Sequence, residues 1–127
     1  MRYETLEERY YNYYKKHVES ANNRGKKFKK FELSLKEFES LIKGNCYYCG
    51  AEPSKDNIWA KSAKRISKGD EDNKFNGIDR VDSSKGYYLE NCVSCCTKCN
   101  RMKLDYEVND FLNHVNNIYN YQKMRND

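Results

Sequence analysis

Two Cys-x-x-Cys motifs constrain the fold of this chain more than any other feature of its sequence. The first is formed by Cys46 and Cys49, and the second lies in a cluster of four cysteines between Cys92 and Cys99. Paired motifs of this kind, in a chain with no signal-peptide pattern at its N-terminus, indicate a metal site rather than disulfides. Four thiolates suit a tetrahedral Zn²⁺ ion with no open position, so we expect the zinc to be structural.

The downstream cluster offers two pairs at the required spacing, Cys92 with Cys95 and Cys96 with Cys99. Spacing alone does not choose between them. We favour Cys96 and Cys99, because the basic residues that follow would then leave the zinc turn directly in a helix. Cys92 and Cys95 would be small buried residues, which is a common role of free cysteine. The predicted zinc ligands are Cys46, Cys49, Cys96 and Cys99.

The composition explains why such a chain needs a metal. Only 38% of its 127 residues are hydrophobic and 34% are charged, so a single domain of this length buries a thin core and needs a cross-link. The formal net charge of +5 favours an anionic partner such as a nucleic acid. No apolar run approaches the roughly 20 residues that span a bilayer. We therefore expect a cytoplasmic protein, from a bacterial host or a phage, with no membrane partner.

Apolar residues at steps of three and four predict two helices in the N-terminal third of the chain. The first covers residues 3–23. Ser34 and Glu37 form a capping box that starts a second, short helix, which ends at Gly44. A basic run lies between the helices, and we interpret it as an arm that contacts phosphates, with a solvated charged loop as the alternative. Its basic residues are Arg24, Lys26, Lys27, Lys29 and Lys30.

The downstream half predicts a β-hairpin followed by helices. Residues 77–82 alternate like a strand, 83–86 form a turn, and 87–89 run back. A helix begins at Cys99, and a last amphipathic helix should pack back on the core and fray in the tail after residue 121. We predict one domain over residues 1–127. It consists of a helical and basic N-terminal segment (residues 1–44), a zinc-bound core (residues 45–112) and a C-terminal helix (residues 105–123).

This order of residues and elements resembles the HNH, or ββα-metal, endonuclease family. The resemblance covers roughly residues 40–112. It is most specific to phage-type members that carry an Asp-Arg pair, and these include a rare-cutting restriction enzyme. It implies an α+β fold with a zinc-stapled ββα-metal core between flanking helices, and a metal-dependent DNA endonuclease. The residues that carry it are Ile78, Asp79, Arg80, Val81, Asp82, Gly86, Tyr87, Asn91, Cys96, Cys99, Asn100 and Lys103.

The resemblance also implies catalytic roles. Asp79 and Asn100 would hold a catalytic Mg²⁺ or Mn²⁺ ion, because such ions prefer oxygen ligands; helix capping is the alternative for Asn100. Arg80 replaces the usual histidine and cannot act as a base, because arginine stays protonated, so it would donate to the phosphate. Tyr48 is the implied base if a nearby cation lowers its pKa, and packing against the zinc turn is its alternative. The resemblance also places Asn91 among the catalytic residues, although we favour the simpler explanation that it stabilises the hairpin turn.

Two functions of different class follow from these residues. The first is hydrolysis of phosphodiester bonds, most naturally in double-stranded DNA, and a cutter of palindromic sites would also have to form a homodimer. The second is a catalytically inactive HNH-fold zinc module that binds nucleic acid or a host protein, as a phage-type inhibitor or regulator. In both, the helix after the zinc turn should add three nucleic-acid contacts, Lys98, Arg101 and Lys103.

Overall fold

The structure, a computed structural model, describes residues 5–23, 30–55 and 74–126. Within these ranges the chain has mixed α+β structure, as predicted, with four α-helices and one two-stranded antiparallel sheet. A long apolar helix of the kind that crosses a membrane does not occur in these ranges. The elements in chain order are α1 (Leu6–Asn23), α2 (Leu35–Ile42), β1 (Gly77–Arg80), a 3-10 helix (Leu89–Asn91), β2 (Cys92–Cys95), α3 (Thr97–Lys103) and α4 (Val108–Arg125).

Aromatic side chains of α1 fill most of the main core. Tyr10 is buried, packs edge to face on Phe38 of α2 with ring centroids 5.1 Å apart, and lies 5.7 Å from the ring of Phe75. Tyr11 packs on the same Phe38 and donates a hydrogen bond of 2.8 Å to the carbonyl of Leu33. Aromatic pairs of this geometry add about 0.5–1.5 kcal/mol each to the effect of burial. The predicted packing of the α1 tyrosines is confirmed for these two residues.

The capping box starts α2 as predicted. Ser34 Oγ accepts a hydrogen bond from the Glu37 N–H at 3.1 Å, and Glu37 Oε1 accepts one from the Ser34 N–H at 2.9 Å. Just beyond the helix, a Cβ on Gly44 would lie 2.6 Å from Ser94 Oγ, which itself donates to the carbonyl of Leu41. This close approach fixes the end of α2 against β2 and directs the chain into the first cysteine motif.

Strands β1 and β2 pair in antiparallel register from Gly77 with Cys95 to Arg80 with Cys92. A sheet of two strands is marginal alone, and this one is anchored by buried Asn76, whose side chain donates to two carbonyls near the first cysteine motif. The prediction of a return strand at residues 87–89 is wrong. Tyr87 pairs instead with the segment at residues 30–32, and the chain returns to β1 only after the 3-10 helix.

The last helix, α4, differs most from its prediction. It begins three residues later than the predicted range 105–123 and stays helical through Arg125, where a fraying tail was expected. Phe111 is its one buried residue among those described, and Val115 and Ile118 are exposed. The prediction that this helix packs back on the core is therefore correct only near its first turn.

Candidate metal centre and adjoining cleft

Four cysteine thiols converge between the end of α2 and the start of α3. The Sγ atoms of Cys46, Cys49, Cys96 and Cys99 all lie within 4.8 Å of one another, and those of Cys49 and Cys96 are 3.7 Å apart. Four sulfurs bound to one Zn²⁺ at about 2.3 Å in a tetrahedron are about 3.8 Å from each other. The cluster therefore has the size and donor set of a zinc site, and the choice of the second downstream pair is confirmed.

Backbone geometry at both motifs turns the thiols inward. In the first, the N–H of Cys46 donates to the carbonyl of Ala51 and the N–H of Gly50 donates to that of Cys46. This tight turn requires φ of +78° at Gly50, a conformation that glycine adopts without steric cost. In the second, Cys96 is the N-cap of α3, and its Sγ accepts a hydrogen bond from the Cys99 N–H at 3.3 Å.

The thiols of the cluster differ in acidity. Burial acts to raise the pKa of Cys46, but hydrogen bonds from the backbone at Cys96, Cys49 and Tyr48 outweigh it and lower that pKa to about 6. Burial raises the pKa of Cys96 and of Cys99 above their usual range. Zinc binds thiolates, so metal binding must release protons from the last two thiols and depends on pH.

The other two cysteines lie in the hydrophobic interior beside β1. Cys92 and Cys95 are buried, and burial raises the pKa of Cys92 to about 12 and that of Cys95 still further. Neutral buried thiols pack like small hydrophobic side chains. The role predicted for these two residues is thus consistent with the structure.

A buried ion pair lies beside the cluster. Lys103 Nζ is 3.1 Å from Asp79 Oδ2, and the two side chains are 0% and 6% exposed. The Tyr48 hydroxyl donates to the same carboxylate oxygen at 2.6 Å, and Lys103 also donates to the carbonyl of Arg80 at 3.4 Å. A buried pair of this kind is tolerated because hydrogen bonds satisfy both of its members.

Lys103 cannot serve as a nucleic-acid contact, contrary to the prediction, because its ammonium group is enclosed beside Asp79. The sequence held a signal for this placement: Lys103 follows Cys99 by four residues, so the two share one face of α3. Lys98 and Arg101 on the other faces are exposed, as is Lys30. The remaining predicted contacts, Arg24, Lys26, Lys27 and Lys29, lie outside the described residues.

Tyr48 reaches the site, where its surroundings raise its pKa rather than lower it as a catalytic base would require. Burial first, and then its hydrogen bond and proximity to Asp79, raise the pKa of Tyr48 well above its usual value. A base role for Tyr48 requires a nearby cation that lowers this pKa, and the phenol instead faces the Asp79 carboxylate. Tyr48 also packs edge to face on Phe111, with ring centroids 5.6 Å apart.

Arg80 closes the turn after β1. Its Nη1 donates to the carbonyls of Ser83 and Lys85 at 3.0 and 2.9 Å, and its guanidinium carbon lies 4.8 Å from the centre of the Tyr87 ring. Two hydrogen bonds use both protons of Nη1, which leaves the other N–H groups of the guanidinium for further partners. Arg80 thus contributes to the turn and also lines the cleft described next.

Asp79 and Asn100 line one open cleft with a volume of about 510 Å³, as expected from their predicted joint role. Asn100 lies in the middle of α3 and is exposed. Helix capping, the alternative explanation for Asn100, is wrong because Cys96 caps α3. The cleft is therefore lined by Asp79, Asn100 and Arg80, while the Asp79 carboxylate is itself engaged by Tyr48 and Lys103.

Asn91 stabilises the hairpin turn and lies away from the lining of this cleft. Its Oδ1 accepts from the Asp82 N–H at 3.0 Å, and its Nδ2 donates to the carbonyls of Asp82 and Gly86 at 3.0 and 2.9 Å. The side chain is buried. Asn91 therefore belongs to the turn, which is the alternative that the sequence favoured, and its place in the catalytic set is corrected.

Comparison with known proteins gives one informative similarity. The chain matches no family model, and no solved structure matches it. It is 37% identical over 93 residues to an uncharacterized protein of Acanthamoeba polyphaga mimivirus. The alignment covers 73% of this chain, and the chain spans 14% of the length of that relative. These similarities therefore assign no function to the chain, and the chemistry of its site is the remaining guide.

Proposed function

We propose that this chain is a metal-dependent DNA endonuclease of the HNH type, with a structural zinc held by its four clustered cysteines. The observation that supports this most is the arrangement of Asp79 and Asn100 around one cleft beside that cluster. Two antiparallel strands followed by a helix, with the carboxylate on the first strand and the amide on the helix, is the order that the HNH resemblance implies.

In this proposal, Asp79 and Asn100 would hold a Mg²⁺ or Mn²⁺ ion, which when bound supplies positive charge at the scissile phosphate. Arg80 would donate its free N–H groups to a phosphate oxygen while Nη1 keeps the turn closed. Tyr48 remains neutral, so its role would be to orient a water molecule through its oxygen rather than to remove a proton. Lys98 and Arg101, exposed on α3, would contact the nucleic-acid backbone.

A catalytically inactive HNH-fold zinc module that binds nucleic acid or a protein is the second candidate. It is favoured by the ion pair between Lys103 and Asp79, because the ammonium already lies 3.1 Å from the carboxylate that a divalent ion would need. A metal ion must therefore compete with a buried lysine for Asp79. The two candidates share the zinc and the fold but make opposite predictions about turnover.

Cleavage of supercoiled plasmid separates the two candidates. Zinc-loaded protein is incubated with plasmid and Mg²⁺ or Mn²⁺, beside Asn100→Ala, Tyr48→Phe and the control Asn113→Ala on the exposed face of α4. We expect wild type and Asn113→Ala to nick the plasmid and Asn100→Ala to lose most activity. Tyr48→Phe should retain some activity, because a residue that orients water contributes less than a base.

The absence of cleavage contradicts the nuclease, provided that the sample contains zinc and that single-stranded DNA and RNA are also tested. A mobility shift of duplex DNA by the same inactive sample would then support the binding module. Equal nicking by wild type and Asn100→Ala would show that a contaminating nuclease is responsible.

A further inference from the structure

An apolar stripe along α4 is left uncovered by the described residues of the chain. Its members recur at steps of three and four residues and are Val108, Phe111, Leu112, Val115, Ile118 and Tyr119. Phe111 is buried at one end, whereas Leu112, Val115, Ile118 and Tyr119 are 41%, 36%, 48% and 63% exposed. An apolar face of this extent on a helix marks a surface that another element covers.

The opposite face of α4 is mostly polar, although Tyr121 and Met124 are exposed there near the C-terminal end of the helix. Five exposed asparagines occupy that face, Asn109, Asn113, Asn116, Asn117 and Asn120. The helix has 18 residues and is therefore about 27 Å long. It provides a straight surface of the length and spacing that a second helix can pack along.

The charges at the two ends of α4 indicate what the second helix is. Eighteen positions separate the N-cap residue Glu107 from Arg125, which is about five turns, so both lie on the same edge of the stripe. In an antiparallel pair of helices related by a two-fold axis, the same edge of the stripe in each copy lies against its counterpart. The N-terminal end of one helix then lies beside the C-terminal end of the other. Glu107 of one copy then faces Arg125 of the other, twice in each pair.

We infer that two copies of this chain associate through α4 in antiparallel orientation. Val115 of each copy packs beside Ile118 of the second copy at the centre, and the four apolar side chains that are exposed in one chain become buried. Antiparallel packing also places opposite ends of the two helix dipoles together. Parallel packing would instead place both Glu107 side chains at one end of the pair and both Arg125 side chains at the other, so that neither charge would meet its opposite.

This interface is continuous with the site described above. Phe111, the buried member of the stripe, packs on Tyr48, whose hydroxyl donates to Asp79. The dimer would therefore contain two Tyr48–Asp79 sites, and each would pack against the layer formed by the two α4 helices. The inference itself rests on the exposure and charge pattern of α4 and does not depend on nuclease activity.

The molar mass in solution tests the inference. Sedimentation analysis of the zinc-loaded full chain should give twice the 15.2 kDa of one chain, and Val115→Glu with Ile118→Glu should give a monomer. The matched control Asn113→Glu with Asn117→Glu places the same charges on the polar face and should remain dimeric. Zinc content and circular dichroism establish that each variant is folded.

Exchange of the end charges tests the orientation. Arg125→Glu should raise the dimer dissociation constant about three- to tenfold, and adding Glu107→Lys should return it to near the wild-type value. A monomeric wild type at about 100 μM, or a dimer that persists in Val115→Glu with Ile118→Glu, overturns the inference. A double charge exchange that fails to restore association overturns the antiparallel orientation.

Discussion

At the scale of single residues, Asp79 links stability to the candidate site. Its carboxylate accepts from Tyr48 and pairs with Lys103, and all three side chains lie between β1, α3 and the first cysteine motif. The same carboxylate is the main oxygen ligand that the proposed metal ion would use. Any substitution at Asp79 therefore changes folding as well as function, and activity data on it need a stability measurement beside them.

We predict strong coupling between Asp79 and Lys103. Asp79→Asn leaves a buried ammonium without its counter-charge and should lower the free energy of unfolding by about 3–5 kcal/mol, and Lys103→Met should act similarly. The double variant should lose much less than the sum, because neither charge is left unpaired. Urea denaturation of the zinc-loaded proteins measures this. Lys98→Met, on the exposed face of α3, is the control and should change stability by less than about 0.5 kcal/mol.

The zinc ligands give a second prediction at this scale. Cys96→Ser should abolish stoichiometric zinc binding, because it removes one of four clustered thiols. Cys92→Ala should retain one zinc per chain, since Cys92 is a neutral buried thiol on β2. Elemental analysis of the purified variants measures the zinc content per chain. Zinc lost from Cys92→Ala but kept by Cys96→Ser would show that the other downstream pair binds the metal.

At the scale of elements, short segments position the site because each is fixed at its ends. Helix α2 starts with a capping box and ends where Gly44 meets Ser94. The turn between β1 and β2 is held by Asn91 and by Arg80. These contacts help to set the relative position of the two cysteine motifs.

The capping box of α2 should contribute measurably to stability. Ser34→Ala removes the hydroxyl that accepts from the Glu37 N–H and should cost about 1 kcal/mol. The control Ser40→Ala changes an exposed serine inside the same helix and should be neutral or slightly stabilising, because alanine has the higher helix propensity. Thermal unfolding of both variants provides the comparison, and equal melting temperatures would contradict the role of the cap.

At the scale of the whole molecule, the cysteine cluster lies where a bound metal would join two regions of the fold. The described chain has a main core around Tyr10 and Phe38 and a second, smaller cluster around the cysteines. The sheet between them has only two strands. A zinc ion bound by all four thiols would cross-link the first motif to α3 across this sheet, which is where a small domain has least hydrophobic support.

Zinc removal should therefore cause cooperative loss of structure, and the effect should depend on pH. Because burial raises the pKa of Cys96 and Cys99, these thiols are protonated in the metal-free protein at neutral pH, and zinc must displace the protons. Zinc affinity should consequently rise as pH increases from about 6.5 to 8.5. Competition with a chromophoric chelator measures the affinity, and circular dichroism follows the structure. An affinity that is constant over this range would contradict the protonated state of these thiols.

Much of this protein was determined locally and could be read from the sequence. The helices α1 and α2, the strand β1 and the first cysteine motif each depend on neighbours a few residues apart, such as the capping pair Ser34 and Glu37. The four clustered cysteines were identifiable for the same reason, since two residues between thiols suffice to define a candidate ligand pair. Residue type and short spacing carry this information directly.

The remaining features were decided by tertiary structure alone, because they depend on contacts between residues that are distant in the sequence. The return strand was displaced from residues 87–89 because Tyr87 pairs with the segment at residues 30–32. Lys103 became a buried partner of Asp79, 24 positions away, and burial beside that carboxylate raised the pKa of Tyr48. The amphipathic pattern of α4 fixed which face is apolar, but only the packed chain left that face exposed, since burial depends on what the rest of the fold places against it.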